Sequence, residues 1–399
     1  MKYHDTKKGI FMKKKFEIFP ILFLILIFGG TIWSFATPAK EYSEMENRYL
    51  AQMPEFNTKT ILDGSFMSDY ETYISDQFFL RNEWITLKTY MDRLSLKEDS
   101  NGVYFGKDDY LISVPAASDY ESEICQKNIS YMTDFIQSQE EALGAEHVRL
   151  MMVPTSSEVL TDKLPLFADP YKQTILLDRL SENLSGQTYL SLLPTLLEHK
   201  EEPIFYKTDH HWTTLGAFYG YQSWAKSIGL TPMTLEDFSI EACTDSFQGT
   251  LQAKVNIDVP ADTINLYLPK EDIQYELIVN ENEAQPRSSL YDYSKLDTKG
   301  KYDVFFGGNE STIRIKPTIP SSAPIDRREG NLLVLKDSYA NSFLPFAVNH
   351  FEQTYVVDLR YFNGQKLSEY MQNNNITDVL VLYSTYNFVS DANFSKLKL

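Results

Sequence analysis

The chain has 399 residues, 43% of them apolar, with only 17 Gly and 17 Pro, which allows a sizeable core and excludes wholesale disorder and collagen-like repeats. Its charge is uneven: the first 17 residues hold six Lys against Asp5 and Glu17, and the rest of the chain carries 31 basic and 53 acidic residues, a net of −22. A body that acidic repels phosphate backbones, so nucleic acid is excluded as a partner. Cys125 and Cys243 are too few for a disulfide framework or a thiolate zinc site, and are open to one bridge or two free thiols.

The N-terminus predicts placement. Lys13, Lys14 and Lys15 precede an apolar run from Ile18 to Ala36, and no further charge occurs until Lys40. About 20 apolar residues span a bilayer as a helix, and lysines on one flank stay cytoplasmic. Trp33 and Phe35 suit an interfacial belt. Cleavage after the small residues of Ser34-Phe35-Ala36 would instead release a secreted protein. The reading is a cytoplasmic basic tail (1–17), a transmembrane anchor (18–36) and a linker (37–60). A single extracytoplasmic domain (61–399) comes next, with a β-rich insertion at about 240–325.

Along the chain, three- and four-residue spacing of Phe66, Tyr70, Tyr73, Phe78, Trp84, Leu87 and Met91 predicts amphipathic helix from Ile61 to Leu96, broken near Phe79-Leu80-Arg81. Asn101–Ile112 predicts a hairpin turning at Gly-Lys-Asp-Asp, and a helix is predicted over Ser122–Leu143. Buried strands are predicted at His147–Pro154, Ile204–Tyr206, Asn331–Lys336, Thr354–Leu359 and Asp378–Tyr383. Helices are predicted at Tyr171–Leu184, Thr214–Ile228 and around Leu367–Met371. Apolar strands alternating with helices predict an α/β fold with a mostly parallel sheet. The alternating segments YELIV, YDVFF and TIRIK mark the insertion as antiparallel.

The densest chemical signal is Lys207-Thr208-Asp209-His210-His211-Trp212-Thr213, between a short strand and a helix. A neutral imidazole takes a proton from a hydroxyl when a carboxylate fixes its other nitrogen, and Asp209 with His211 could supply that pair within one turn. Trp212 is expected to pack under the ring. The bland alternative is a structural turn with Asp209 or Thr208 capping the helix. The best nucleophile is Ser338, in Lys336-Asp337-Ser338-Tyr339, at the carboxyl end of a strand and the start of a helix. Free amides there stabilise an oxyanion, although Asp337 or Ser338 could be a plain N-cap. Phe305-Phe306-Gly307-Gly308-Asn309 offers backbone and amide donors for an oxyanion hole, or a simple turn. Metal binding is disfavoured, since adjacent histidines on an extended segment point to opposite faces and His4, His147, His199 and His350 form no ligand-spaced cluster. Asp-His-His also occurs in the DHH phosphoesterases, but their further ligand motifs are not evident. With no Walker loop and no GxGxxG, no cofactor is expected.

Ser43–Leu50 (SEMENRYL), the Asp76–Arg81 block, Thr208–Thr213, Tyr302–Asn309 and Lys336–Ser338 together resemble the DHHW protein family of Gram-positive bacteria. That family is similar to the alginate O-acetylation proteins AlgJ and AlgX, whose catalytic domain is a circularly permuted SGNH hydrolase fold, a three-layer sandwich. The resemblance implies Asp209 and His211 as acid and base and Ser338 as nucleophile, in the order Asp, His, Ser that permutation requires. Gly308, Asn309, Tyr339, His210 and Trp212 are then expected around the oxyanion and substrate. It further implies O-acetylation of an extracellular or cell-wall polysaccharide, with acyl groups delivered by a membrane-bound O-acyltransferase. An acetyl esterase uses the same triad. A non-catalytic cell-surface binding or scaffold protein is the reading from a different class.

Overall fold

In this computed structural model the described residues are 5–43 and 48–398. The first four residues of the expected basic tail and four of the Ser43–Leu50 block lie outside them. The chain divides into two units at Tyr90/Met91.

In the first unit a helix runs over Asp5–Ala36 with Pro20 inside it. Its described side chains begin at Ile18, and among the described residues no helix is long and apolar enough to cross a membrane. The predicted amphipathic stretch forms helices at Ser65–Asp76 and Arg81–Leu94. They part where Leu80 takes a positive φ of 51°, a conformation that ends a helix. Buried Asp76 accepts a hydrogen bond from Ala51 N at 2.8 Å, and the Gln77 side chain bonds Lys40 and Ala51. The Pro-containing stretch after the first helix is thereby tied down through its backbone.

The second unit is built on a seven-stranded sheet. Its strands are β1 (Val148–Val153), β2 (Tyr189–Ser191), β5 (Gln274–Val279), β6 (Thr312–Thr318), β7 (Asn331–Lys336), β8 (Gln353–Val357) and β9 (Ile376–Ser384). Between β2 and β5, the strands β3 (Phe238–Phe247) and β4 (Asp262–Pro269) pair with each other in a separate two-stranded sheet. The order in the large sheet is β5-β6-β8-β7-β9-β1-β2, with four parallel pairings and an antiparallel edge contributed by β5 and β6.

Strand β7 shows why the sheet sits in the middle. All of Leu332, Leu333, Val334 and Leu335 are buried, and they alternate between two apolar cores. Leu332 and Val334 pack with Phe218, Trp224, Phe343 and Phe346, from the helices α2 (Thr214–Ser227) and α4 (Ala340–Ala347). Leu333 and Leu335 pack with Ile129, Met132 and Phe135 of α1 (Glu123–Leu143) and with Tyr370 of α5 (Leu367–Asn373). Helices therefore cover both faces, which a parallel sheet requires because each strand is apolar on both sides. Each buried Leu or Val side chain contributes about 1.5–3 kcal/mol.

The β-rich stretch 240–325 divides between two places. YELIV and TIRIK become the antiparallel edge of the large sheet, whereas YDVFF is a short 3-10 turn at Lys301–Val304 with one bridge, Tyr291 to Phe305. The expected strand at Ile204–Tyr206 is also reduced to a single bridge, Phe205 to Trp212. Both cysteines are free.

Candidate active site

Two loops meet here, and one of them leaves the carboxyl end of a sheet strand, the position at which open α/β sheets present reactive groups. The first begins after Phe205. The Phe205–Trp212 bridge and the bond from Tyr206 N to His211 O close a tight loop. Its base is held by the Asp262 carboxylate, which accepts from Lys207 N (2.9 Å), Thr208 N (2.8 Å) and Thr208 Oγ1 (2.6 Å). Asp209 Oδ1 then accepts from both His211 N (3.0 Å) and His211 Nδ1 (2.5 Å). Its other oxygen accepts from Thr250 N (2.8 Å) and Thr250 Oγ1 (3.0 Å), at the start of α3 (Thr250–Val255). Thr213, rather than Asp209 or Thr208, caps α2, with its side chain accepting from Gly216 N.

The second loop leaves β7 at Lys336. Buried Asp337 turns it: one carboxylate oxygen accepts from Tyr339 N, the other from Ser384 N, Ser384 Oγ and Asn387 Nδ2, all at 2.7–2.9 Å. The Ser338 hydroxyl, just before α4, is thereby aimed at the first loop. It lies 2.8 Å from His211 Nε2 across 127 residues of sequence. Asp209, His211 and Ser338 form one hydrogen-bonded line, with relative exposures of 3%, 5% and 8%.

Packing fixes the imidazole. Tyr302 stacks on His211 at 4.1 Å between ring centroids and 13° between planes, and its hydroxyl donates to Ser338 O at 3.2 Å. Trp212 does not lie under this ring as expected. It is fully buried, tilted against Tyr339, and donates from Nε1 to Tyr339 O at 2.9 Å. Tyr339 is fully buried too, its hydroxyl bonded to His210 O. Trp212 and Tyr339 therefore clamp the two loops together instead of facing a ligand. His210 is half-buried and bonds Thr250 Oγ1 through Nδ1 at 2.6 Å.

The expectation that His210 and His211 point apart also fails. Their rings lie side by side, 3.9 Å between centroids, because residues 207–211 form a bend and not an extended strand. Asp209, His210 and His211 consequently bring three ligand-type atoms within 4.8 Å of one another. Each residue already has a hydrogen-bond partner, in Thr250 or Ser338.

Electrostatics are set by burial and proximity. Burial alone would raise the Asp209 carboxyl, but the two histidines and the Thr250 amide hold it well below the ordinary carboxylate range. Burial, reinforced by its neighbour His211, pushes His210 down to about 3. Burial lowers the Lys336 ammonium, against the pull of Asp358.

The Gly307-Gly308-Asn309 loop is fastened to the same strand. Phe306, Gly307 and Gly308 all take positive φ, and a Cβ on Gly308 would meet Asp303 at 3.3 Å. Buried Lys336 donates to Asn309 Oδ1 (2.7 Å) and Asn341 Oδ1 (2.8 Å). An ammonium has donors only, so it turns both amide oxygens toward itself and the Asn309 amino group away. Sequence reasoning does not single out Tyr302, Thr250 or Lys336 for these roles. For Lys336 a signal existed, a lysine closing an otherwise apolar strand. Ser338 and His210 open on a cleft of about 280 Å³ whose walls include Ser113, Lys254, Arg360 and Tyr386.

Residues 144–357 match the profile of the DHHW protein family. Comparison with curated proteins gives no match. Among solved structures the chain is similar to a DHHW family protein from Eubacterium siraeum, 24% identical with a TM-score of 0.59 over 75% of this chain and 96% of that one. It is also similar to Bacillus cereus PatB1, solved with a sulfonyl adduct, 23% identical with a TM-score of 0.56 over 72% and 96%. A more distant likeness is to the O-acetyltransferase domain of Pseudomonas putida AlgJ, 15% identical with a TM-score of 0.42 over 73% and 93%.

Proposed function

We propose that this chain, which belongs to the DHHW protein family, is an extracytoplasmic acyltransferase that O-acetylates a cell-surface or cell-wall polysaccharide. The observation that carries the reading is the line from Asp209 through His211 to Ser338, with bonds of 2.5 and 2.8 Å, ending at a cleft. Ser338 Oγ attacks the acyl carbonyl while its proton passes to His211 Nε2. Asp209 holds the imidazole in the accepting tautomer and stabilises the imidazolium. Collapse of the tetrahedral intermediate expels the donor's leaving group, which takes the proton, and an acyl-Ser338 ester remains. A sugar hydroxyl then gives its proton to His211 and attacks the ester, and Ser338 recovers the proton as it leaves. The Asn309 amino group is the proposed side-chain donor to the oxyanion, and Gly308 shapes the loop that carries it, since the Gly308 amide itself donates to Phe305 O.

The domain is read as SGNH-hydrolase-like and permuted, with the serine last in the chain. The apolar run Ile18–Ala36 behind three lysines supports an anchor in the cell membrane, with the catalytic domain outside. There the acyl group has to be handed across by a membrane-bound O-acyltransferase.

The test is hydrolysis of p-nitrophenyl acetate by the full chain in detergent, with mass spectrometry of the Ser338 peptide. Expected are acetylation at Ser338 and loss of at least about 10³-fold in rate in both Ser338→Ala and His211→Ala. Unaltered rate in folded Ser338→Ala refutes the nucleophile. Release of acetate to water with no transfer to any added glycan assigns an esterase, and no acylation in the wild type favours a scaffold.

A further inference from the structure

We infer that His210 Nε2 is a fixed hydrogen-bond acceptor in the cleft, and that the acceptor sugar presents to it a second donor, a hydroxyl or an amide N–H, beside the hydroxyl that attacks. The inference rests on the acyl-transfer reading above and narrows its acceptor. The transfer steps leave His210 without a part, although its ring lies against that of His211, 3.9 Å between centroids.

A chain of three groups sets the tautomer. The Asp209 carboxylate, held ionised, can only accept. Its Oδ2 lies 3.0 Å from Thr250 Oγ1, so the single hydroxyl proton of Thr250 points at the carboxylate. His210 Nδ1 lies 2.6 Å from the same hydroxyl oxygen. With the hydroxyl proton committed, that oxygen accepts from Nδ1, which therefore carries the ring hydrogen. A neutral imidazole has one N–H, so Nε2 is bare and can only accept. One carboxylate thus orients two imidazoles, His211 directly and His210 through Thr250.

Nε2 is open to a ligand. His210 is half-buried, its Nε2 has no hydrogen-bond partner among the described residues, and the residue lines the cleft together with Ser338. The backbone beneath is pinned, since the Tyr339 hydroxyl bonds His210 O. Lys254 and Arg360 on the same walls are donors only and cannot receive a proton from a sugar hydroxyl.

Two imidazoles side by side need two donors. The attacking hydroxyl has one proton, which passes to His211 as its oxygen bonds the acyl carbon and Ser338 leaves. A different group on the acceptor therefore meets His210. That group keeps its proton: burial and His211 hold the His210 ring neutral, and once His211 is an imidazolium, a second positive charge beside it is disfavoured. His210 is in this sense an acceptor-positioning residue, which selects the sugar hydroxyl that faces the acyl group.

The experiment uses the full chain in detergent, acylated with p-nitrophenyl acetate, and three acceptors of one ring size. These are trans-1,2-cyclohexanediol, its mono-O-methyl ether and cyclohexanol. Transfer is read by mass spectrometry per hydroxyl and per acetyl-Ser338 formed, so a change in acylation does not move the ratio. The diol is expected to be acetylated about 3- to 10-fold faster than the other two, the worth of one neutral hydrogen bond. His210→Asn and His210→Gln separate this role from a structural one. An Asn amide reaches the place of Nδ1 and keeps a donor to Thr250, whereas a Gln amide reaches the place of Nε2 and keeps an acceptor in the cleft. His210→Asn is expected to bring the ratio close to one and His210→Gln to retain part of it, with melting temperatures checking the fold. Equal transfer to all three acceptors in the wild type, a full preference surviving in His210→Asn, or the opposite order of the two variants overturns the inference. Acetyl-Ser338 that passes to water alone refutes the subsite and leaves the nucleophile standing, and absence of acetyl-Ser338 refutes the acyl-transfer reading itself.

Discussion

Asp209→Asn tests the Asp209–His211–Ser338 line more sharply than truncation, because it keeps shape and removes only charge and acceptors. The carboxylate accepts four hydrogen bonds, two at each oxygen, and every donor but the Thr250 hydroxyl is fixed by backbone or ring geometry. An amide has one oxygen. If that oxygen faces His211, the amino group meets Thr250 N–H, formerly 2.8 Å from an acceptor. If the amino group faces His211 instead, it confronts the His211 backbone N–H and forces Nδ1 to accept. The proton then sits on Nε2, toward Ser338, and the imidazole can no longer take the serine proton. Either way a buried donor is stranded, at about 1–3 kcal/mol of stability. The second orientation removes general-base function, and kcat for p-nitrophenyl acetate is expected to fall about 10³- to 10⁴-fold, equivalent to about 4–5.5 kcal/mol of barrier. The assay is steady-state hydrolysis with the melting temperature measured in parallel. A folded Asp209→Asn protein within about fivefold of wild-type kcat would show that the tautomer of His211 does not govern the rate.

The same loop supports two other predictions. Gly249→Ala puts a Cβ 2.2 Å from Asp209 Cβ and 2.3 Å from Oδ2. Since the backbone there suits alanine (φ −89°), the clash alone should cost about 1–3 kcal/mol and shift the carboxylate off His211; a chemical-denaturation midpoint identical to wild type would contradict this. His210 is pushed down to about 3 in the folded chain, against about 6.5 unfolded. The unfolded chain binds that proton first, so stability is complete above about pH 6.5 and declines as pH falls toward 3, by up to about 1.4 kcal/mol per pH unit. His210→Gln should remove one proton from that slope in urea titrations between about pH 6 and 4; an unchanged slope would show that His210 is not the linked group.

Much of this protein is legible in one dimension. The strands β7, β8 and β9 are short runs apolar on both faces, and only a sheet covered by helices on both sides accommodates them. The Asp209-His211 contact is local, two residues apart, so its residue types and spacing carry it. Ser338 was legible as a position, a hydroxyl between a strand end and a helix start. Its distance to His211 was not, because 127 residues separate them and only the parallel sheet and the Asp337 turn bring the loops together. The ring stacked on His211 could not be read either. Trp212 is adjacent in sequence, yet the bend at 207–211 buries it against Tyr339 and leaves the imidazole face to Tyr302, which arrives 91 residues later from a 3-10 turn. Sequence determined which groups carry charge and which stretches must be buried, since both are properties of single residues and short periods. Tertiary structure decided which groups meet, because a contact between distant segments depends on how the intervening core packs.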